Sequence, residues 1–96
     1  MNQLTLTATT KRPLRPLVEA ALNSELRMLE AAIQRTEKRL HGYEAAHGMS
    51  SAQFLQRYEN DELPETLELD EWVGECRLLS RLREKADAYR GIEFLH

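Results

Sequence analysis

The chain has 96 residues, of which 42% are apolar and 30% are charged, and its formal net charge is −3. This length limits it to one domain, and the charge-rich composition is typical of helical hairpins and coiled coils. The absence of an 18-residue apolar run and of a signal-like start predicts neither a membrane span nor a secretory leader. The single Cys76 excludes an internal disulfide, and we expect a cytoplasmic protein.

Residues 3–9 alternate apolar and polar side chains, as a short β-strand does. No second strand pattern is present. A strand here would pair with its copy in a second chain, join a partner's sheet, or remain disordered. We therefore divide the chain into an extended or strand arm over residues 1–12 and a helical hairpin over residues 13–96.

Pro13 and Pro16 mark the start of a long helix that runs to His47, because proline suits only the first helical turn. An a/d stripe continues along this helix for nearly four heptads. Its members are Leu22, Leu26, Leu29, Ile33, Thr36, Leu40, Tyr43 and His47. Thr36 and His47 interrupt the apolar character of the stripe, which predicts weaker packing at these two positions.

A corner with its own short helix follows. Gly48 is suited to end the long helix in a left-handed conformation. Ser50 with Gln53 three residues later forms a capping box, which predicts a short helix from residue 51 to about residue 58. Pro64 lies in the connection to the next helix.

The last helix is predicted from about Glu68 to just before Gly91, giving an all-α fold in which this helix packs antiparallel to the first. Because it is shorter than the first helix, we expect residues 14–29 to lack cover within the chain. An uncovered apolar stripe usually marks an interface. We therefore predict a homodimer through Leu22, Leu26, Leu29 and Ile33.

Few residues suggest catalysis. Glu44 and His47 have the Glu-x-x-His spacing of di-metal helix bundles, but the other ligands of such a site are missing from the sequence. Cys76 lies on the apolar stripe of the last helix and has no histidine near it in sequence. No phosphate-binding loop, serine elbow or dinucleotide fingerprint is present. We expect no enzyme activity, no metal and no cofactor.

The residues around the start of the long helix are basic. Lys11, Arg12 and Arg15 would lie at the positive end of the helix dipole, where a bound phosphate would relieve the conflict. They are candidates for nucleic-acid contact, and in a dimer their number approaches the ~6–10 phosphate contacts of DNA-binding proteins. A solvated tail explains the same charges.

The segment from residue 59 to residue 75 carries acidic residues and no basic ones. The acids are Glu59, Asp61, Glu62, Glu65, Glu68, Asp70, Glu71 and Glu75. One interpretation is a solvated loop. The other is a surface that binds a basic partner through Glu62, Glu65, Glu68, Glu71 and Trp72, since apolar residues lie among the acids. Trp72 is also explained as a core residue of the hairpin.

The segments GMSS at residues 48–51, FL at 54–55, YE at 58–59, EL at 62–63 and LDEW at 69–72 resemble a class of small bacterial and archaeal helical-hairpin proteins. These proteins are often encoded beside genes for toxin-like proteins and are treated as antitoxin-like. The resemblance covers roughly residues 17–90. It implies that the chain binds and neutralises a cognate toxin-like protein, with DNA binding by its first residues as a further role.

We therefore expect a non-catalytic, antitoxin-like interaction module. The alternatives are a self-assembling coiled-coil homodimer or scaffold, and a small DNA-binding transcriptional regulator.

Overall fold

Three α-helices form the part of the chain that the computed structural model describes, residues 13–92. They are α1 (Leu14–His47), α2 (Ser51–Glu59) and α3 (Leu67–Arg90), and no β-strand occurs between residues 13 and 92. The predicted all-α hairpin is confirmed. The predicted strand at residues 3–9 and the arm over residues 1–12 lie outside the described residues.

The ends of α1 are set by residues that the sequence singles out. Pro13 precedes the first residue of the helix, and Pro16 lies within the first turn. At the other end Gly48 has a φ of 64°, and its backbone N–H donates to the carbonyl oxygen of Glu44. Glycine suits this position because a Cβ would strain the left-handed conformation.

The corner helix α2 is capped as predicted. The hydroxyl oxygen of Ser50 accepts a hydrogen bond from the backbone N–H of Gln53 at 3.1 Å, and the Gln53 side chain accepts one from the backbone N–H of Ser50, also at 3.1 Å. A helix of nine residues is too short to be stable alone. Contacts with α1 and α3 therefore have to hold it, and Phe54 is its buried residue.

The last helix, α3, begins at Leu67, one residue before the predicted start. The hydroxyl of Thr66 accepts a hydrogen bond from the backbone N–H of Leu69 at 3.2 Å and caps the helix. Glu68 and Asp70 lie in its first turn, where negative charge is favourable to the helix dipole.

Ion pairs between α1 and α3 follow one antiparallel register. In order along α1 they are Glu30 with Arg90, Glu37 with Arg83 and Arg39 with Glu75, and a contact of His47 with Glu68 continues the same order. Exposed pairs of this kind contribute at most ~1 kcal/mol each, so they select the register more than they supply stability.

The core lies at the corner end of the hairpin, where all three helices meet. Its buried residues are Leu40, Phe54, Leu69, Trp72, Val73 and Leu79. Thr36 is also buried, but its hydroxyl donates to the carbonyl oxygen of Ala32 at 2.9 Å and accepts from Arg39 at 3.2 Å. The predicted interruption of the stripe at Thr36 is therefore a fully hydrogen-bonded position.

The expected gap in cover along residues 14–29 is much smaller than predicted. Leu29 is only 6% exposed, and Ile33 packs against the core. Leu22 and Leu26 are half-buried and line a groove together with Tyr89, Arg90 and Ile92, at and just after the end of α3. The four residues predicted to form a dimer interface are thus wholly or partly covered within the chain. Residues 13–92 form a rod of 61 × 21 × 18 Å.

Candidate protein-interaction surface

Trp72 is the centre of the aromatic core. Its ring is parallel to that of Phe54, with centroids 3.8 Å apart, while Tyr43 and His47 stack against it at 5.6 and 5.2 Å. It is 0% exposed, and its indole N–H donates to the hydroxyl of Ser51 at 3.0 Å. The expectation that Trp72 contacts a partner is therefore corrected, because no surface of this side chain is accessible in the folded chain.

Glu44 belongs to the same corner. Its Oε2 atom accepts a hydrogen bond from the backbone N–H of Ser51 at 2.7 Å, and this bond holds the pKa of the Glu44 carboxyl below its ordinary value. Ser51 thus joins α1, through Glu44, to α3, through Trp72. Both contacts fix how α2 leaves the corner.

The Glu-x-x-His pair is divided between two structural positions. Glu44 caps α2, while His47 stacks on Trp72 with its Nε2 atom 3.3 Å from Oε1 of Glu68. No group of three or more His, Cys, Asp or Glu side chains that could hold a metal ion occurs in the described part of the chain. The structure thus gives each of the two residues a packing or capping contact of its own.

The acidic segment divides into two flanks of α3. On the first flank, acids at positions 68, 71 and 75 face α1, where Arg39 pairs with Glu75 at 2.9 Å. Burial raises the pKa of the Tyr43 hydroxyl, and the nearby carboxylates, of which Glu71 is the strongest contributor, raise it further. On this flank, Arg39 and His47 lie beside the acids.

On the second flank, Asp70 faces α2. Its Oδ1 atom accepts a hydrogen bond from the hydroxyl of Tyr58 at 3.0 Å, and this bond raises the pKa of Tyr58. Glu65 adds a smaller contribution in the same direction. Asp70 thus bonds to a phenol, and the nearby Arg77 opposes the rise in the pKa of Tyr58.

The connection between α2 and α3 carries Glu62 and Glu65, both exposed. Neither forms an ion pair with any residue in the range 13–92. Glu68 and Glu71 are also exposed, and Leu67 beside them is 76% exposed. The four glutamates predicted to contact a partner are therefore all at the surface, around an exposed leucine.

A groove runs between α2 and α3 on the second flank. It has a volume of about 400 Å³. One wall is formed by Leu55, Tyr58, Glu59 and Asp61, and the other by Val73, Cys76, Arg77 and Ser80. The sequence interpretation missed this groove, although the 3-1-3 spacing of the α3 residues places them on one helical face.

Cys76 lies on the wall of this groove and is half-buried. Burial raises the pKa of its thiol. Because the thiolate is the nucleophilic form, this environment lowers the reactivity of Cys76 at neutral pH.

The candidate nucleic-acid residues are only partly described. Lys11 and Arg12 lie outside residues 13–92. Arg15 pairs with Glu19 one turn later in α1, with 2.6 Å between Nε and Oε1. Part of the positive charge at the start of α1 is thus matched by an acid of the same helix, and DNA binding stays a prediction.

Along residues 13–92, no helix is both long enough and apolar enough to cross a membrane. Comparisons with models of protein families, with curated proteins and with solved structures gave no match.

Proposed function

We propose that this chain is a non-catalytic protein-interaction module that binds a basic partner protein at the corner end of its hairpin. The observation that carries this proposal is the cluster of exposed carboxylates around the α2–α3 connection. Glu62 and Glu65 have no cationic partner among residues 13–92, and eight acids without a base lie between positions 59 and 75.

The physical argument concerns both charge and apolar contact. Uncompensated carboxylates at one end of a molecule attract a basic protein and orient it before contact, most strongly at low salt. Charges alone give weak, salt-sensitive binding, so a stable complex also requires apolar area. Leu67, with 76% of its surface exposed at the start of α3, supplies an apolar contact inside the acidic field.

The biological role that we propose is antitoxin-like. The support for it is the resemblance of residues 48–72 to small helical-hairpin proteins encoded beside toxin-like genes. In this role the chain would cover a functional surface of a basic toxin-like protein in the cytoplasm. Neutralisation by occlusion requires no catalytic group.

The test is co-expression of the chain with the product of its neighbouring gene, followed by measurement of growth and co-purification. Rescue of growth together with a stable complex is the expected result. A complex should then weaken on charge reversal in Glu62→Lys/Glu65→Lys, and its affinity should depend less on salt. The matched control is Glu84→Lys/Asp87→Lys, at exposed positions far along α3. It changes the net charge equally and also removes the ion pair of Asp87 with Arg90.

Two outcomes would contradict the proposal. One is a neighbouring product that is harmless and does not bind. The other is a complex whose affinity and salt dependence are the same in the wild type and in Glu62→Lys/Glu65→Lys.

A self-assembling homodimer is the second candidate function, and one observation favours it. Leu17 and Met28 are 57% and 64% exposed on α1, and their separation of 11 residues places them on the same helical face. Two copies would bury this face against each other. Sedimentation of the wild type as a monomer at high concentration would exclude this candidate, whereas a dimer that Leu17→Glu dissociates would support it.

A further inference from the structure

The groove between α2 and α3 combines an apolar floor with an acidic rim. Leu55, Val73 and Cys76 supply the apolar part, and its volume of about 400 Å³ is within the range of about 300–1,000 Å³ that is usual for ligand sites. It is partly open to solvent, so a side chain on the surface of another protein can reach it.

The rim of the groove carries negative charge that the described part of the chain does not neutralise. Glu59 and Asp61 are exposed and form no ion pair within residues 13–92. Asp70 lies on the same flank, bonded to the Tyr58 hydroxyl. On the opposite flank, by contrast, Arg39 pairs with Glu75. Glu59 and Asp61 therefore offer unpaired carboxylates to an incoming cation on this flank.

Arg77 makes the groove asymmetric. It lies on the α3 wall, across from the carboxylates of Glu59 and Asp61. A cationic side chain is repelled from Arg77 and attracted to the two acids, so a ligand with apolar and basic groups has one favoured orientation. A purely apolar ligand would leave the acids without partners.

We propose that this groove is the docking site for a basic amphipathic helix of the partner protein. An apolar side chain of that helix enters between Leu55 and Val73, and lysine or arginine residues one turn away contact Glu59 and Asp61. Helices present such groups together because residues three or four apart lie on one face. This inference rests on the proposed function and assigns the partner contact to this flank of α3.

The experiment uses Cys76 as a reporter, since it is the only cysteine of the chain and lies on the groove wall. The probe is a synthetic helical peptide that carries leucine with arginine one turn before and after it. A peptide of the same composition, with the arginines on the face opposite the leucine, is the control probe. The alkylation rate of Cys76 by iodoacetamide is measured against peptide concentration, alongside the binding isotherm.

The inference predicts that the first peptide slows alkylation with the same concentration dependence as binding, and that the control peptide does not. Glu59→Gln/Asp61→Asn should weaken binding by about fivefold, as expected for the loss of two exposed charge contacts. Asparagine is chosen because Asp61 has a φ of 54°, a conformation that asparagine tolerates. The matched variant Glu84→Gln/Asp87→Asn, with the same change in net charge, should bind as the wild type does.

Equal protection by both peptides, or equal binding by both variants, would overturn the groove assignment. Binding of the natural partner by the same variants distinguishes failure of the groove assignment from failure of the proposed function. Suppose that a basic partner binds and that Glu62→Lys/Glu65→Lys weakens its binding. If Glu59→Gln/Asp61→Asn then leaves binding unchanged and Cys76 remains reactive in the complex, the groove is not the docking site, while the proposed function is retained. If neither double variant changes the binding of that partner, the groove assignment and the proposed function are both wrong.

Discussion

Replacing Phe54 with alanine tests how the corner helix is held to the hairpin. Phe54 is 0% exposed and stacks on Trp72 with a centroid distance of 3.8 Å. Truncation of a buried phenylalanine costs about 3–5 kcal/mol. A domain of this size has a total stability of about 5–15 kcal/mol, so the variant should lose roughly a fifth of that free energy of unfolding or more.

The loss should also be local. Because α2 has nine residues and Phe54 is its buried residue, Phe54→Ala should unfold α2 at denaturant concentrations that leave α1 and α3 intact. Denaturant titration followed by circular dichroism at 222 nm measures the global stability. The emission of Trp72, the only tryptophan, reports the removal of its stacking partner.

Leu67→Ala is the matched control, since it removes a large apolar side chain from a helix at a position that is 76% exposed. It should change stability by no more than about 0.5 kcal/mol. If Phe54→Ala destabilises the protein by less than about 1 kcal/mol, or no more than the control does, then the aromatic stack does not hold α2 and the account of the corner is wrong.

Three further predictions concern the same region. Gly48→Ala should destabilise the protein by about 1 kcal/mol because of its left-handed backbone, whereas Gly42→Ala, inside α1 with open space around its Cα, should stabilise it by about 0.5–1 kcal/mol in the same denaturant titration. Glu44→Gln should be less stable than the wild type at neutral pH. The pKa of Glu44 is lower in the folded state than its ordinary value of 4.5, so the stability difference between wild type and variant is present above pH 4.5. It disappears as the pH falls through the folded-state pKa of Glu44. Equal losses of stability at pH 7 and pH 3 would contradict the prediction. Asp70→Asn should lower the pKa of Tyr58 toward 10.0, seen as earlier phenolate absorbance in an alkaline titration; an unchanged titration would mean that the bond does not form in solution.

The corner was predictable from the sequence because its determinants are local. Gly48, Ser50 and Gln53 lie within six positions of one another, and each acts on the backbone of its neighbours. Such signals do not depend on what the rest of the chain does. The limits of all three helices follow from the same kind of residue, which is why they agree with the structure to within one residue at the corner.

The surroundings of Trp72 were not predictable in this way. Its helical phase placed it on the apolar stripe of α3, but the same residue in the acidic segment also fitted a binding surface. The burial of Trp72 depends on Phe54 of α2 and on Tyr43 and His47 of α1, whose rings all stack on it. Contacts over such sequence distances have no local signal.

The length of α1 that α3 covers was also not predictable from the sequence. Helix lengths alone suggested that residues 14–29 would be uncovered. The antiparallel register of α1 and α3, however, begins with Glu68 beside His47. Because the chain continues past α3, Tyr89 and Ile92 lie beside Leu22. The helical spacing of positions 68, 71 and 75 places these acids on one flank of α3. Which flank also carries a cationic side chain depends on the residues that α1 and α2 bring beside it.

The length of α1 has a consequence for how the molecule responds to its surroundings. The helix has 34 residues and the rod is 61 Å long, so the acidic corner and the first turn of α1 lie at opposite ends. At physiological ionic strength the field of an exposed charge decays over about 8 Å in solution. Direct interaction between charges at the two ends is therefore screened by the salt. A charge reversal at the acidic corner should leave the electrostatic potential at the first turn of α1 nearly unchanged.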